Sequence, residues 1–440
     1  MANMSAHHTK DLSSDLHTQT FETLVRDRLQ QLKDCSFEWK SHRATELIGD
    51  GSINIQIREE SDQCLKLLSH PDPLNWIDAY LHGHWSSNQL LSLMHQVIRQ
   101  GDFRQPTMAR WMRPILRFYH TWSTSHRTSV LELLKNHFGV SDLFFERVLD
   151  KKAQFYGTAL YPHPGATLEQ ATQWQLQRLC EKLSLTPTDR CLDVGSGFGA
   201  FGLYAAEHYG VNVTIVAFHP QQLEKIQRLA HIKGLTHLVN VCEYDEAFVA
   251  QKWYDKIAYL MPFDWVGHIS MQEFLLQAAH HLTPTGLMVT QFIAQTDIEF
   301  GTFLEHVMRT YVFSTYSFAS FSEFAQKSIT PSHCRMIHFE SMDDHAAKTM
   351  RDWYMGLQQN KSFLQDRGID PYFLRLYEMK IALFYAGICM RYLQNVQILW
   401  AGHQYHGNDW LLSHAKSAYF PSPYLPNYDP NTQSTTTHVS

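Results

Sequence analysis

The stretch Leu192-Asp193-Val194-Gly195-Ser196-Gly197-Phe198-Gly199 decides the reading of this chain. It follows the strand-like Cys191-Leu192 and precedes a helix-like run from Ala200 to His208. Glycines here let the backbone turn sharply and approach a ligand more closely than any Cβ would permit. The helix behind the turn aims its N-terminal amides at whatever the turn holds. Two ligand classes suit such a turn. A dinucleotide site wants its third small residue at position 200, where alanine is tolerated and Ala200 stands. The leading Asp193, two residues before Gly195, points instead to S-adenosylmethionine, whose ammonium a carboxylate can hold directly or through water. A tight strand-to-helix turn with no ligand is the plain alternative.

Outward from this loop the chain alternates strand and helix. Helix Leu168–Leu183 ends at Thr186-Pro187, and strand Arg190–Val194 enters the loop. Helix Gly202–His208, strand Asn212–Ala217, helix Pro220–Lys233 and strand Val239–Glu243 follow. Then come strand Lys256–Leu260, helix Ser270–His281, a Thr283-Pro284-Thr285-Gly286 turn and strand Leu287–Ile293. Such alternation requires a mostly parallel sheet covered on both faces, with ligands at the carboxyl ends of its strands. Upstream, Ser52-Ile53-Asn54-Ile55-Gln56-Ile57 alternates as a half-buried strand, and Asn88–Ile98 has helical periodicity. Helical segments are expected around Leu131–Leu149 and a last helix around Tyr372–Arg391.

Composition bounds the function. The 440 residues, 44% hydrophobic and 18% charged, support two or three globular domains. A formal charge of -6 gives no basic field for nucleic acid. No apolar run is long enough to cross a membrane, and the polar N-terminus lacks the order of a signal peptide. Seven cysteines without a close pair predict reduced thiols in a cytoplasmic protein, and the 27 histidines do not cluster at metal spacing. No metal is expected.

The chain resembles the cyclopropane-fatty-acyl-phospholipid synthase and mycolic acid cyclopropane synthase family of S-adenosylmethionine-dependent methyltransferases, from about Phe37 to Leu399. Asp78-Ala79-Tyr80-Leu81-His82-Gly83-His84-Trp85 resembles the family's EAYMDGEW, and His137–Phe145 resembles HYDVSDDFF. Leu192–Gly199 resembles LDIGCGWG, Phe263-Asp264-Trp265-Val266-Gly267 resembles FEHVG, and Glu378–Gln397 resembles the closing helix and strand. The resemblance implies an α/β fold: a Rossmann-like class I methyltransferase with a mostly parallel seven-stranded sheet, plus a smaller N-terminal α+β domain. The expected division is a tail over 1–20, the N-terminal domain with its linker over 21–125, the methyltransferase domain over 126–410 and a second tail over 411–440.

Carried over residue by residue, the resemblance implies a cofactor site. Tyr156 and Gly157, at the family's YSCA segment, cover the cofactor; Asp193, Gly195 and Gly197 hold its methionine end. Gln222 reaches the ribose, and Glu243, with Tyr244 beside it, accepts from the adenine amine. The acceptor side departs from the family pattern. Where relatives surround a bicarbonate ion with Cys, Glu, His and Tyr, this chain has Thr158, Asp264, Gln291 and Ala346. Changing all four removes most of an anion site, and an under-satisfied buried anion costs several kcal/mol, so bicarbonate in its usual place is not expected. Methyl transfer needs mainly alignment of nucleophile, methyl and sulfur. Asp264, Gln291 and Tyr156 are the candidate catalytic residues, for charge stabilisation or general-base work.

Three functions stay open at this point. One is methylation of a carbon of an unsaturated acyl chain or similar lipid, leaving a ring, methyl or methylene. The second is C- or N-methylation of a small metabolite, since relatives methylate alkaloid nitrogens. The third is a non-catalytic binding relative, against which the intact loop argues. The aromatic stretch Phe303–Phe324 corresponds to the family's acyl-tunnel wall, although core is the ordinary role of such a stretch. The retained N-terminal unit favours phospholipid acceptors, and Arg104, Arg110, Arg113 and Arg117 suggest peripheral contact with the inner membrane. Family members commonly form homodimers.

Overall fold

The computed structural model describes residues 22–41, 44–61, 63–70, 72–101, 142–244, 253–260, 279–312, 316, 318, 320 and 334–407. Near the N-terminus a helix over 22–31 (α1) leads into β1 (Cys35–Lys40), β2 (Thr45–Ile48), β3 (Ile53–Glu59) and β4 (Trp85–Ser87), in the order β2-β1-β3-β4. Ile55 and Ile57 of β3 are buried while Asn54 and Arg58 are exposed, as its alternation predicts. Helices α2 (Cys64–Leu68), α3 (Leu74–Leu81) and α4 (Leu90–Gln100) complete this unit.

A second sheet holds β5 (Arg190–Val194), β6 (Asn212–Ala217), β7 (Val239–Glu243), β8 (Tyr254–Tyr259), β9 (Leu282–Gln295), β10 (Cys334–Ser341) and β11 (Leu393–Gly402). Its order is β10-β11-β9-β8-β5-β6-β7; the neighbours from β9 to β7 pair parallel, and β11 pairs antiparallel with both β9 and β10. Period-2 alternation sends successive side chains to opposite faces. Cys191, Val213, Ile215 and Val289 meet helices α6 (Leu168–Lys182), α7 (Ala200–Tyr209) and α8 (Pro220–Ile232). Leu192, Val216, Phe292 and Val396 meet α9 (Ile298–Tyr311), α10 (Asp343–Asp366) and α11 (Pro371–Cys389). Local chemistry starts these helices: Thr167 and Gln170 form a capping box, while Asp297 and Asp370 cap α9 and α11.

The second apolar layer is continuous with the N-terminal unit. Phe37, Ile55 and Trp85 lie in one cluster with Met379, Leu383 and Val396. Glu378, fully buried on α11, accepts from Tyr80 Oη at 2.6 Å and Gln358 Nε2 at 2.6 Å, and pairs with Lys361 at 2.7 Å. Arg375 donates to the carbonyls of Tyr80 and Trp85.

One expectation needs correction. Thr283-Pro284-Thr285-Gly286 belongs to β9 and is not a turn outside it. Tyr254 pairs with Leu282 and Lys256 with Leu287, so two steps along β8 face five along β9. The Pro-Gly chemistry is expressed as an irregularity within the strand, where a Cβ on Gly286 would lie 2.8 Å from the Asp255 carbonyl oxygen. The last helix, expected around Tyr372–Arg391, is α11, and beyond its end at Cys389 the residue Arg391 takes a left-handed φ of 59°. Helix α10 and edge strand β10 are elements the periodicity did not single out. Helix Ser270–His281 lies outside the described residues except at its end, as do 131–141 of the segment around Leu131–Leu149.

Candidate cofactor and acceptor site

At the carboxyl end of β5 the glycine loop is built around Asp193. This side chain is fully buried. Its Oδ2 accepts from Ser196 Oγ at 2.5 Å and from the backbone N–H of Gly202 at 2.8 Å, tying the loop to the first turn of α7. Oδ1 is buried and has no partner among the described residues. Burial pushes the Asp193 carboxyl up to about 6, against the pull of the Ser196 and Gly202 donors. An acceptor atom left in this state fits a cationic ligand group arriving at the loop, directly or through water, and so fits the methionine ammonium.

Gly197 has φ +79°, and a Cβ there would lie 3.0 Å from Tyr156 N and 3.1 Å from the Gln154 carbonyl oxygen. The segment carrying Tyr156 thus lies directly on the loop, joined by a bridge between Phe155 and Gly197. Asp150 shapes that segment by accepting from the N–H groups of Ala153 and Phe155. The Tyr156 ring stacks on Trp353, with centroids 5.4 Å apart and planes 2° apart, and meets Phe145 edge-on. Its hydroxyl lies 3.3 Å from Lys380 Nζ. Helix α5 (Asp142–Val148) covers the loop through Phe145 and Phe198. Lys225, 4.1 Å from the centroid of the Phe198 ring, also lies near Glu146 and Asp142.

Gln222 lies at the start of α8, against the glycine loop. Its carboxamide is buried, accepting from Phe218 N at 2.7 Å and donating to the Gly197 carbonyl at 2.5 Å. Both ends bond to backbone, so this side chain fixes the loop, with one donor and one acceptor position left on the carboxamide. Glu243 is exposed at the end of β7, opposite Ala217. Tyr244 donates its backbone N–H to the Ala217 carbonyl and stacks on Phe218 with centroids 5.3 Å apart. Both stand at the carboxyl edge beside the loop.

On the acceptor side, Gln291 lies buried on β9, one residue past the Tyr259–Thr290 pair. Its Oε1 accepts from Gln175 Nε2 at 2.9 Å and Gln397 Nε2 at 3.0 Å. Gln397 Oε1 accepts from Lys182, which also pairs with Glu340. A lysine can only donate, so this chain of bonds fixes both amides and turns the Gln291 NH2 away from the network. Burial pushes Lys182 down even with Glu340 beside it, and burial also lowers His345. Thr158 and Ala346 are buried next to the bonds from Ala159 N to Thr349 Oγ1 and from Tyr161 N to His345 Nδ1. Asp264 lies outside the described residues, as do Trp265, Phe321 and Phe324. Phe318 is buried against Phe384 and Tyr316.

Sequence reasoning missed Ser196, Trp353, Tyr377 and Lys380. Ser196 stood inside the quoted loop; the other three lie on α10 and α11, far along the chain from the loop they approach.

A sheet of this order, with its glycine turn at the carboxyl edge of the central strand, defines the Rossmann-like fold of class I methyltransferases. The chain belongs to the mycolic acid cyclopropane synthetase family, whose model matches residues 125–398. It is 28% identical over 249 residues to a probable fatty acid methyltransferase of Mycobacterium tuberculosis, a match spanning 57% of this chain and 56% of that protein. Against the cyclopropane-fatty-acyl-phospholipid synthase of Escherichia coli it is 24% identical over 307 residues, 69% of this chain and 77% of the relative. The solved structure of a cyclopropane synthase from Mycobacterium tuberculosis superposes with a TM-score of 0.57 at 22% identity, covering 62% of this chain and 98% of the other.

Proposed function

We propose that the protein transfers a methyl group from S-adenosylmethionine to a carbon of an unsaturated acyl chain or similar lipid. The observation that carries this reading is the Asp193-braced loop, intact within a chain whose family match covers residues 125–398. When bound, the cofactor supplies an electrophilic methyl group. Asp193 would hold its ammonium and the Gly195 and Gly197 backbone its methionine end, with Tyr156 and Gly157 as the residues that would cover it. Glu243 and Tyr244 would border the adenine, while Gln222 holds Gly197 in place through its carbonyl. The bridge from Phe155 to Gly197 and the ring contacts of Phe145 and Trp353 hold the Tyr156 segment against the loop.

Asp264 and Gln291 are the residues we assign to the acceptor's chemistry, and Tyr156 is assigned to support a cationic carbon through its ring. The replacement of the family's anion-binding set by Thr158, Asp264, Gln291 and Ala346 argues against bicarbonate in its usual place. The same change favours, as a second reading, a small-molecule nucleophile at nitrogen or carbon, for which Asp264 serves as base. The proposed domains are an N-terminal unit over 21–125 and a methyltransferase unit over 126–410. The proposed setting is the cytoplasm, with the chain as a homodimer touching the inner membrane through Arg104, Arg110, Arg113 and Arg117.

The test is incubation with methyl-labelled S-adenosylmethionine and a lipid and metabolite extract, read by mass spectrometry. A lipid gaining one labelled carbon is the expected result, and fragmentation separates ring from branch. Label confined to polar small molecules selects the second reading. No label in any molecule, with cofactor binding intact, removes both.

A further inference from the structure

We propose that Lys380 is the cationic contact for the carboxylate of the methionine end of S-adenosylmethionine, an inference that rests on the cofactor reading above. A Cβ on Gly197 would lie 3.1 Å from Tyr156 Cβ, so Tyr156 starts at the floor of the loop. Its hydroxyl, one ring-length away, lies 3.3 Å from Lys380 Nζ. That ammonium stands 5.3 Å from the centroid of the Tyr377 ring, three residues earlier on α11, and the Tyr377 hydroxyl is itself bonded to Tyr156. A single tyrosine thus connects the glycine loop to a lysine.

The charges match one kind of ligand. At the loop, Asp193 offers a buried carboxylate oxygen with no partner among the described residues. Beyond Tyr156, Lys380 offers a positive charge. An amino-acid zwitterion carries both complements within one residue. An ammonium beside a sulfonium or a developing carbocation would repel it, so the lysine suits the anionic end of the ligand and not its reacting centre.

The test is calorimetric titration of the full chain and of Lys380→Met with S-adenosylhomocysteine, S-adenosylmethionine and 5′-methylthioadenosine, which keeps the nucleoside and thioether but has neither carboxylate nor ammonium. Lys380→Met should weaken the first two about 10-fold, about 1.4 kcal/mol, and leave 5′-methylthioadenosine unchanged. Lys380→Arg should recover most of the loss. Equal weakening of all three ligands would assign Lys380 a purely structural role and overturn the inference. So would no change in any, or a gain for S-adenosylmethionine relative to S-adenosylhomocysteine. Failure of the unaltered chain to bind either full-length ligand would remove the cofactor reading and the inference with it.

Discussion

Substituting Asp193→Asn changes one atom's chemistry at the centre of the loop and should uncouple stability from ligand binding. Burial raises the folded carboxyl to about 6 from 3.8, so the folded state holds a proton over a window where the unfolded chain has lost it. Below pH 4 both states are protonated and the group is neutral in its effect. Above pH 6 both are ionised, and the folded state bears the cost of a buried carboxylate. A rise of that size corresponds to about 3 kcal/mol, a contribution to stability present in acid and lost as pH rises from about 4 to 6. Asparagine keeps an oxygen for the Gly202 and Ser196 donors and cannot ionise. Urea unfolding of the unliganded chain across pH 4 to 7.5 should therefore show the variant gaining on the parent by up to about 3 kcal/mol as pH rises. Calorimetry at neutral pH should show it binding S-adenosylhomocysteine at least about 10-fold more weakly, through loss of the charge-assisted contact. Parallel pH profiles for the two proteins would refute the burial argument, and unchanged affinity would refute the ammonium contact.

Gly197→Ala forces a side chain into a left-handed backbone and against Tyr156 N; we expect about 1–3 kcal/mol of destabilisation by urea unfolding and a clear loss of S-adenosylhomocysteine affinity by calorimetry. Gln222→Leu leaves the buried Phe218 N–H and Gly197 carbonyl without their present partners, at a cost of about 3 kcal/mol in the same unfolding assay. If Gln222 instead served a ribose, the loss would appear in ligand affinity with stability nearly unchanged. Glu378→Leu should cost about 3 kcal/mol and expose the N-terminal unit to limited proteolysis, since Tyr80, Gln358 and Lys361 lose their shared acceptor.

Much of the central sheet was legible because its strands carry their own punctuation. Arg190–Val194, Asn212–Ala217 and Val239–Glu243 are bounded by helix caps and turns a few residues away, and their bounds match the residues expected. The β9 irregularity was not legible, because Pro284 and Gly286 have the same local chemistry whether they end a strand or kink one. Edge strand β10 shows only weak alternation of burial, which is why periodicity passes over it. At the site, local motifs identified the loop and the Tyr156 segment. Gln222 has the right position for a ligand contact, but its orientation depends on two backbone groups that only the folded turn brings within reach. Trp353 and Lys380 reach Tyr156 through tertiary packing across about two hundred residues, for which no local pattern exists.

Helix α11 faces two ways: Tyr377 and Lys380 toward Tyr156, Met379 and Leu383 toward a pocket lined by Trp76, Trp85 and Met94. The N-terminal unit is therefore no detachable accessory. Removing it would lay bare an oily stripe on the helix that also positions the site, inviting self-association. A shorter version of this protein would need that stripe repainted with polar residues, and such a stretch of sequence on α11 would be a readable mark of a lineage that had dispensed with the front unit.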